Sequence, residues 1–211
     1  MREKKHRLPP GQFPISQHPR WGIDHPTIPG AKVPKIDLDT YTLTIEGEVE
    51  KPLTLNWIDI QKLPTKEIVS DFHCVEGWSI LDNKWQGIPF TELLHIVKPK
   101  KTAKNATFQC ADSYTTSLTL KELNKPCVLL ATKLNDKPLE EAMGAPIRLI
   151  VPNRYAYKSP MWITKIKFTE KKELGYWEKR GYSDTANIWK NDRYSPKNEP
   201  SIKNNRQKKN T

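Results

Sequence analysis

Proline limits how this chain can fold more than any other residue, and it is concentrated near one end. Residues 8–37, LPPGQFPISQHPRWGIDHPTIPGAKVPKID, contain seven prolines. Each proline removes a backbone N–H and fixes φ, so the stretch is excluded from helix interiors and from the centre of a sheet. We therefore predict an extended arm at residues 8–37 that wraps over a folded body.

The rest of the chain mixes short strand patterns with short helix patterns. YTLTIEGEV, ATFQCAD and WITKIKF alternate apolar and polar residues, and KEIVSDFHC, TTSLTL, CVLLATKL and APIRLIVP are further strand candidates. LNWIDIQKLP and FTELLHIV carry helical spacing. Because strands and helices do not alternate regularly, the chain is predicted to be an α+β, mixed β-rich single domain rather than a doubly wound sheet.

The formal net charge of +11 raises the question of a nucleic-acid partner, so its distribution matters. The end segments MREKKHR and KNEPSIKNNRQKKNT carry net charges of +3 and +4, which make up 7 of the 11 charges. The region between them has no basic stripe interleaved with aromatic residues. We therefore expect solvated basic tails at residues 1–7 and 195–211, a domain at residues 8–194, and no specific nucleic-acid partner.

Cysteine usage and hydropathy set the cellular context. The three cysteines, Cys74, Cys110 and Cys127, include no CxxC pair, which argues against a disulfide framework and against a thiolate zinc site. No apolar run approaches the ~18 residues that a spanning helix needs, and no apolar stretch follows the basic residues at the start. We expect a cytoplasmic monomer that does not enter a membrane.

Cys74 is the first chemical candidate. It follows a predicted strand, with His73 before it and a glycine-containing turn after it, so its thiol faces the edge of the sheet. A lone cysteine is also a common packing residue, and both interpretations stay open at this point. Cys110 and Cys127 are interpreted as packing residues first, and Trp78 with Trp85 as core or lid aromatics.

Arg148 is the second candidate because it interrupts the apolar run of APIRLIVP. Burying a guanidinium without an anion is costly, so either an internal carboxylate or a bound anion should meet it. The following PNRYAYKS brings together Arg154, Lys158 and Ser159. This segment is either an anion-holding loop or a solvated basic turn.

Three motifs occur together in one order: HCVEGWS with WQG downstream, then GAPIRLIVPNRYAYKSPMWI, then GYWEKRGY. In this order they resemble the catalytic domain of the sulfite oxidase family of molybdopterin enzymes. The likeness runs from Leu8 to Tyr194 and is strongest to the small oxidoreductases and the bacterial methionine sulfoxide reductase subunit of that family. It implies the sulfite oxidase molybdopterin-binding fold and a molybdopterin cofactor with one molybdenum per chain.

The resemblance also assigns residues to the cofactor. By it, Cys74 is the thiolate ligand of molybdenum, a soft donor for a metal held mainly by sulfur. Arg148 matches the arginine that meets the pterin phosphate, and Ser159 falls on the last cofactor-binding loop. His18, in FPISQH, matches a cofactor-contacting histidine of sulfite oxidases, and Cys110 stands where the sulfoxide reductase branch has a threonine contacting the cofactor.

The implied reaction is a two-electron oxygen-atom transfer with a small oxo donor or acceptor and an unidentified electron-transfer partner. Besides Cys74, Tyr114 resembles the active-site tyrosine of sulfite oxidases, and Lys158 is placed to attract an anionic substrate by charge.

Two departures from the family pattern bear on the substrate. Met143 stands where the family often has Asn or His, and VEGW replaces a segment that carries an arginine in sulfite oxidases. We therefore expect a neutral S-oxide or N-oxide, in contact with Trp78, to be favoured over sulfite.

Two other classes of function compete with this interpretation. One is a cysteine hydrolase with Cys74 as the nucleophile, but the adjacent His73 would point to the opposite side of a strand. The other is a non-catalytic module that binds anions or nucleic acid through the basic tails.

Overall fold

The predicted arm is present: in the computed structural model, which describes residues 8–196, it runs almost without regular structure across one sheet. Within the described residues eleven strands, β1 to β11, follow in this order: Phe13–Pro14, Thr42–Gly47, Leu53–Asn56, Lys66–His73, Trp78–Pro89, Asn105–Cys110, Thr115–Thr119, Leu129–Leu134, Lys137–Pro138, Arg148–Ile150 and Ile163–Thr169. The helices α1 to α3 span Trp57–Lys62, Phe90–Val97 and Leu120–Leu123. The two predicted tails lie outside the described residues, apart from Ser195 and Pro196.

The strands form two sheets. The first sheet has the order β1-β5-β8-β10, with β4 on the other side of β5 and β9 beside β8. The second sheet has the order β3-β2-β11-β6-β7. β1 pairs with β5 in parallel and β11 with β2 in parallel, whereas the other pairs are antiparallel. The predicted α+β, β-rich class with an extended arm is therefore confirmed.

Side-chain pattern explains most of these elements. In β2, Leu43 and Ile45 are buried while Thr42 and Thr44 are not, as expected for a strand with one buried face. α2 begins and ends where the sequence indicated and buries Phe90, Leu93 and Val97, which share one helical face. α1 begins at the N-cap Asn56, whose side chain accepts a hydrogen bond from the Asp59 N–H at 2.9 Å.

The core is divided into two main clusters, beside a third group of three buried residues. The larger one packs the second sheet against α2. The smaller one packs the first sheet against the arm and contains Trp21, Phe72, Cys74, Trp85 and Trp162. Because Cys74 belongs to the smaller cluster, the arm and the functional candidate share one packing unit.

The end of the described chain returns to the arm. Arg193 donates to the carbonyls of Gly11, at 2.8 Å, and Val75. The Ser195 N–H donates to the Gly181 carbonyl at 2.9 Å. Backbone hydrogen bonding therefore extends one residue past the predicted domain boundary at 194. Arm, Cys74 loop and C-terminal segment are thereby tied together. No helix in the described part of the chain is long and apolar enough to cross a membrane.

Candidate active site

A cleft of about 220 Å³ opens between the arm and the first sheet. Its walls come from the arm at Trp21 and residues 25–29, from the turn after β4, and from the segment that follows β10. Four of the seven residues singled out in the sequence line it: Cys74, Tyr114, Arg148 and Ser159. His18, Cys110 and Lys158 do not.

Cys74 is placed at the cleft by a tight turn. β4 ends at His73, the Cys74 N–H donates to the Trp78 carbonyl at 2.9 Å, and the Gly77 N–H returns to the Cys74 carbonyl at 3.1 Å. Gly77 has a φ of 111°, a conformation that favours glycine. The thiol is 5% exposed, and burial raises the pKa of Cys74 to about 12. At neutral pH it is a protonated thiol unless a cation displaces the proton.

Glu76 and His25 stand beside the thiol. Glu76 Oε2 accepts from Trp78 Nε1 at 3.1 Å, lies 3.1 Å from His25 Nε2, and lies 3.8 Å from Cys74 Sγ. The hydrogen bond between His25 and Glu76 lowers the pKa of Glu76 and raises the pKa of His25. Sequence reasoning missed His25, because nothing local marks one histidine in a proline-rich arm as a neighbour of Cys74.

Arg148 begins β10 and is 1% exposed. Its Nη1 donates to the Met143 carbonyl at 2.9 Å, and its guanidinium carbon lies 5.0 Å from the Phe72 ring centroid and 5.4 Å from the Trp85 ring centroid. Among residues 8–196 no carboxylate pairs with it, and its Nε is buried without a partner. Burial lowers the pKa of Arg148 to about 9, still a cation at neutral pH.

The internal carboxylate that the sequence left open as a partner for Arg148 is therefore absent from the described residues. A buried guanidinium with an unused donor at the wall of a cleft fits a bound anion. The phosphate of a pterin is such an anion, and the buried thiol of Cys74 in the same cleft is a suitable soft donor for its metal. These residues fit the cofactor that the resemblance implies.

Ser159 and Tyr114 already have backbone partners. Ser159 Oγ accepts from the Val151 N–H at 3.1 Å, and the Tyr114 hydroxyl donates to the Tyr157 carbonyl. Burial raises the pKa of Tyr114 well above its ordinary value, so the phenol stays protonated. Both side chains line the cleft, but the Tyr114 proton is engaged within the protein.

The structure corrects the role expected of Lys158. The side chain is 1% exposed, and its ammonium is ion-paired with Glu178 and lies 3.4 Å from Asp184 Oδ1 and 3.1 Å from the Ser117 carbonyl. Its charge is neutralised inside the fold rather than offered to a substrate. The signal that could have shown this is Glu178 in GYWEKRGY, but 20 residues separate the pair.

The other two candidates lie outside the cleft lining. His18 Nε2 lies 2.6 Å from Asn83 Oδ1, its Nδ1 is buried without a partner, and burial lowers the pKa of His18 to about 4. Its ring packs against Phe72 and Trp85, the same rings that flank Arg148. Cys110 belongs to the larger core cluster and is interpreted as a packing residue.

Charge and aromatic surface in the cleft also differ from expectation. Trp78 is buried in the smaller cluster and bound to Glu76, while Trp21 and Trp177 line the cleft instead. Two carboxylates, Glu76 and Asp112, line the cleft. The basic side chains in that lining are Arg148 and His25, and His25 is paired with Glu76.

Comparison with known proteins gives a consistent result. The model of the oxidoreductase molybdopterin binding domain matches residues 30–177. The chain is 33% identical to the uncharacterized oxidoreductase YuiH of Bacillus subtilis over 75% of this chain and 80% of that protein. It is 37% identical to the protein-methionine-sulfoxide reductase catalytic subunit MsrP of Campylobacter jejuni over 65% of this chain, and it spans about half, 52%, of that relative.

Among solved structures, the sulfane dehydrogenase SoxCD from Paracoccus pantotrophus superposes with a TM-score of 0.63 at 20% identity, over 71% of this chain and 42% of that one. This likeness shows the fold. The family match includes Cys74, Tyr114, Arg148 and Ser159 but begins after His18 and His25.

Proposed function

The chain belongs to the oxidoreductase molybdopterin-binding domain family of sulfite oxidase-like enzymes, and on this premise we propose that it reduces a small neutral S-oxide or N-oxide. In this proposal Cys74 is the protein's ligand to molybdenum. The cofactor class, molybdopterin, follows from the family. The substrate and the residue roles are proposed from the cleft.

Three residues would hold the cofactor. Cys74 supplies the sulfur ligand, Arg148 offers the guanidinium that has no carboxylate partner in residues 8–196, and Ser159 lines the same cleft. When bound, the molybdenum centre supplies oxygen-atom transfer coupled to a two-electron change. The protein supplies position, charge and exclusion of water.

The charge of the cleft is the observation that supports a neutral substrate. Glu76 and Asp112 both line it, and Glu76 lies 3.8 Å from the Cys74 sulfur. The two cations that sequence reasoning placed near the pocket are engaged elsewhere, Lys158 with Glu178 and Arg154 with Glu122. An anion such as sulfite would approach Cys74 past a carboxylate, with Arg148 as the cation of the cleft besides His25, which is paired with Glu76.

The apolar surface of the cleft also favours a neutral substrate. Trp21 and Trp177 offer apolar surface to an S-oxide or N-oxide. The relative MsrP is named for methionine sulfoxide reduction, which agrees with this direction. Because each turnover consumes two electrons, the proposal includes an electron donor that remains to be identified.

The test compares substrates at equal molybdenum content. Loaded protein should turn over a neutral sulfoxide with a reduced artificial donor faster than it oxidises sulfite with an artificial acceptor. A specificity constant for sulfite that is about tenfold the larger, worth about 1.4 kcal/mol, would overturn the substrate assignment. Cys74→Ser should abolish both activities, with Cys127→Ser as the matched control.

A further inference from the structure

The sulfur of Cys74 has two close neighbours that can also bind a metal. His25 Nε2, Cys74 Sγ and a Glu76 carboxylate oxygen all lie within 4.8 Å of one another. The Glu76 oxygen is 3.1 Å from the histidine nitrogen and 3.8 Å from the sulfur. Donors on a tetrahedral zinc ion are separated by about 3.3–3.7 Å, given metal–ligand bonds of about 2.0–2.3 Å. The three donors are therefore close to a ligand arrangement before any metal arrives.

We propose that the chain without its pterin holds one zinc ion on His25, Cys74 and Glu76, and that this ion must leave before the cofactor enters. Binding of zinc is independent of the proposed function. The competition with the pterin rests on it, because both metals would use the sulfur of Cys74.

The donor set selects zinc over the hard cations. One sulfur, one imidazole nitrogen and one carboxylate suit zinc, whereas magnesium and calcium take six or more oxygen ligands. Glu76 and His25 are 51% and 27% exposed, so an ion can reach the donors from the cleft. Three protein ligands leave a fourth position for water.

Coordination requires no change of oxidation state. As the zinc–sulfur bond forms, the Cys74 thiol releases its proton to solvent. His25 gives up the Nε2 proton that it donates to Glu76, either to solvent from the charged imidazole or by taking the Nδ1–H tautomer of the neutral one, and then presents the Nε2 lone pair. The Trp78 Nε1 donor, 3.1 Å from Glu76 Oε2, can keep its bond and orient the carboxylate as an outer partner.

The ion would connect two separate parts of the chain. His25 belongs to the arm, and Cys74 with Glu76 belongs to the turn between β4 and β5. Zinc would thus fix the arm over the cleft and protect the thiol in the cofactor-free protein. Arg20 in the arm is exposed and provides a trypsin site through which this can be measured.

The experiment uses the full chain made in a host that lacks the pterin. Cobalt serves as the probe, because a cobalt–thiolate bond gives a near-ultraviolet charge-transfer band. We expect one cobalt per chain with that band, displacement by zinc, and slower trypsin cleavage in the arm. His25→Gln and Glu76→Gln should each weaken zinc, measured against a chromophoric chelator, by at least about tenfold.

The controls are His95→Gln, at an exposed histidine of α2, and Cys127→Ser, both of which should bind zinc as the parent does. Unfolding curves of all variants establish that they are folded. Absence of the thiolate band, or unchanged zinc affinity in both His25→Gln and Glu76→Gln, would overturn the proposal.

The two proposals fail separately. A chain that binds molybdenum and reduces sulfoxides but shows no cobalt–thiolate band refutes the zinc site alone. A chain that shows the band while Cys74→Ser keeps full molybdenum-dependent activity refutes the ligand role in the proposed function alone. Protein loaded with the pterin should show no cobalt–thiolate band when cobalt is added. Such a band would refute the competition between the ion and the pterin for Cys74.

Discussion

At the scale of single residues, Arg148 is a buried cation at the cleft that lacks a counterion in the described part of the chain. Its guanidinium is buried and pairs with no carboxylate among residues 8–196, and its contacts are one backbone carbonyl and two aromatic rings. A buried charge without a counterion destabilises a fold unless a ligand supplies the counterion. The residue is therefore better explained by the cofactor than by the stability of the protein.

Replacing Arg148 by Met tests whether this residue serves the cofactor or the stability of the fold. Retention of the pterin should fall, whereas the stability of the cofactor-free protein should stay the same or rise. We expect the variant to retain pterin at least about tenfold less well, since a charged hydrogen bond is worth about 1.5–3 kcal/mol. The cofactor-free variant should be as stable as the parent, or more stable, because an unpaired buried charge is removed. Pterin content after gel filtration and urea unfolding of the cofactor-free protein measure the two effects.

Arg154→Met is the matched control, because Arg154 is paired with Glu122 and does not line the cleft. It should leave pterin content unchanged. If Arg148→Met also kept its full pterin content, Arg148 would not be the phosphate partner.

At the scale of elements, a buried ion pair joins two short helical turns. Lys158 ends the turn Ala156–Lys158, and Glu178 begins the turn Glu178–Arg180. Both side chains are 1% exposed, and Thr116 Oγ1 donates to Glu178 Oε1 at 2.7 Å. The pair connects the segment after β10, which contains Ser159, to the segment after β11.

Glu178→Ala should therefore destabilise the protein by about 3–5 kcal/mol, since it leaves the Lys158 ammonium buried without its main partner. Urea unfolding measures the loss. Glu67→Ala, which breaks an exposed pair with Lys84 at 3.2 Å, should cost less than about 1 kcal/mol. The double variant Lys158→Met/Glu178→Leu should recover most of the stability. A Glu178→Ala cost as small as that of Glu67→Ala would contradict the role of the pair.

At the scale of the whole molecule, the arm is a structural part of the domain. It supplies Trp21 and residues 25–29 to the cleft, pairs Phe13–Pro14 with β5, and covers the smaller core cluster. Arg193, from the other end of the described chain, holds its Gly11 carbonyl at 2.8 Å. The cleft thus needs both ends of the described chain.

Deletion of residues 1–37 should abolish pterin retention and lower the unfolding midpoint, because one wall of the cleft and apolar contacts of the smaller cluster are lost. Deletion of residues 1–7 together with 197–211 is the matched control and should change neither. Pterin content and thermal unfolding of the two deletion variants measure the contribution of the arm. Normal pterin retention without the arm would show that the first sheet alone holds the cofactor.

Local pattern was sufficient for much of the fold. The alternation in β2 and β11, the apolar face of α2 and the seven prolines of the arm act within a few residues, so each could be interpreted alone. β5 was missed, because it is paired on both sides and its buried positions do not alternate cleanly. Asp82 inside it has a φ of 57°, which local propensity would not assign to a strand.

For the site, local sequence was enough to mark the chemically unusual residues, which are a cysteine at the end of a strand and an arginine in an apolar run. The packed fold sets their partners. It left Arg148 without a carboxylate, gave Lys158 to Glu178, and brought His25 of the arm to Cys74 and Glu76. The physical reason is that composition and periodicity act between near neighbours in the chain, whereas charge pairing and metal coordination depend on distances that exist only after the sheets and the arm have packed.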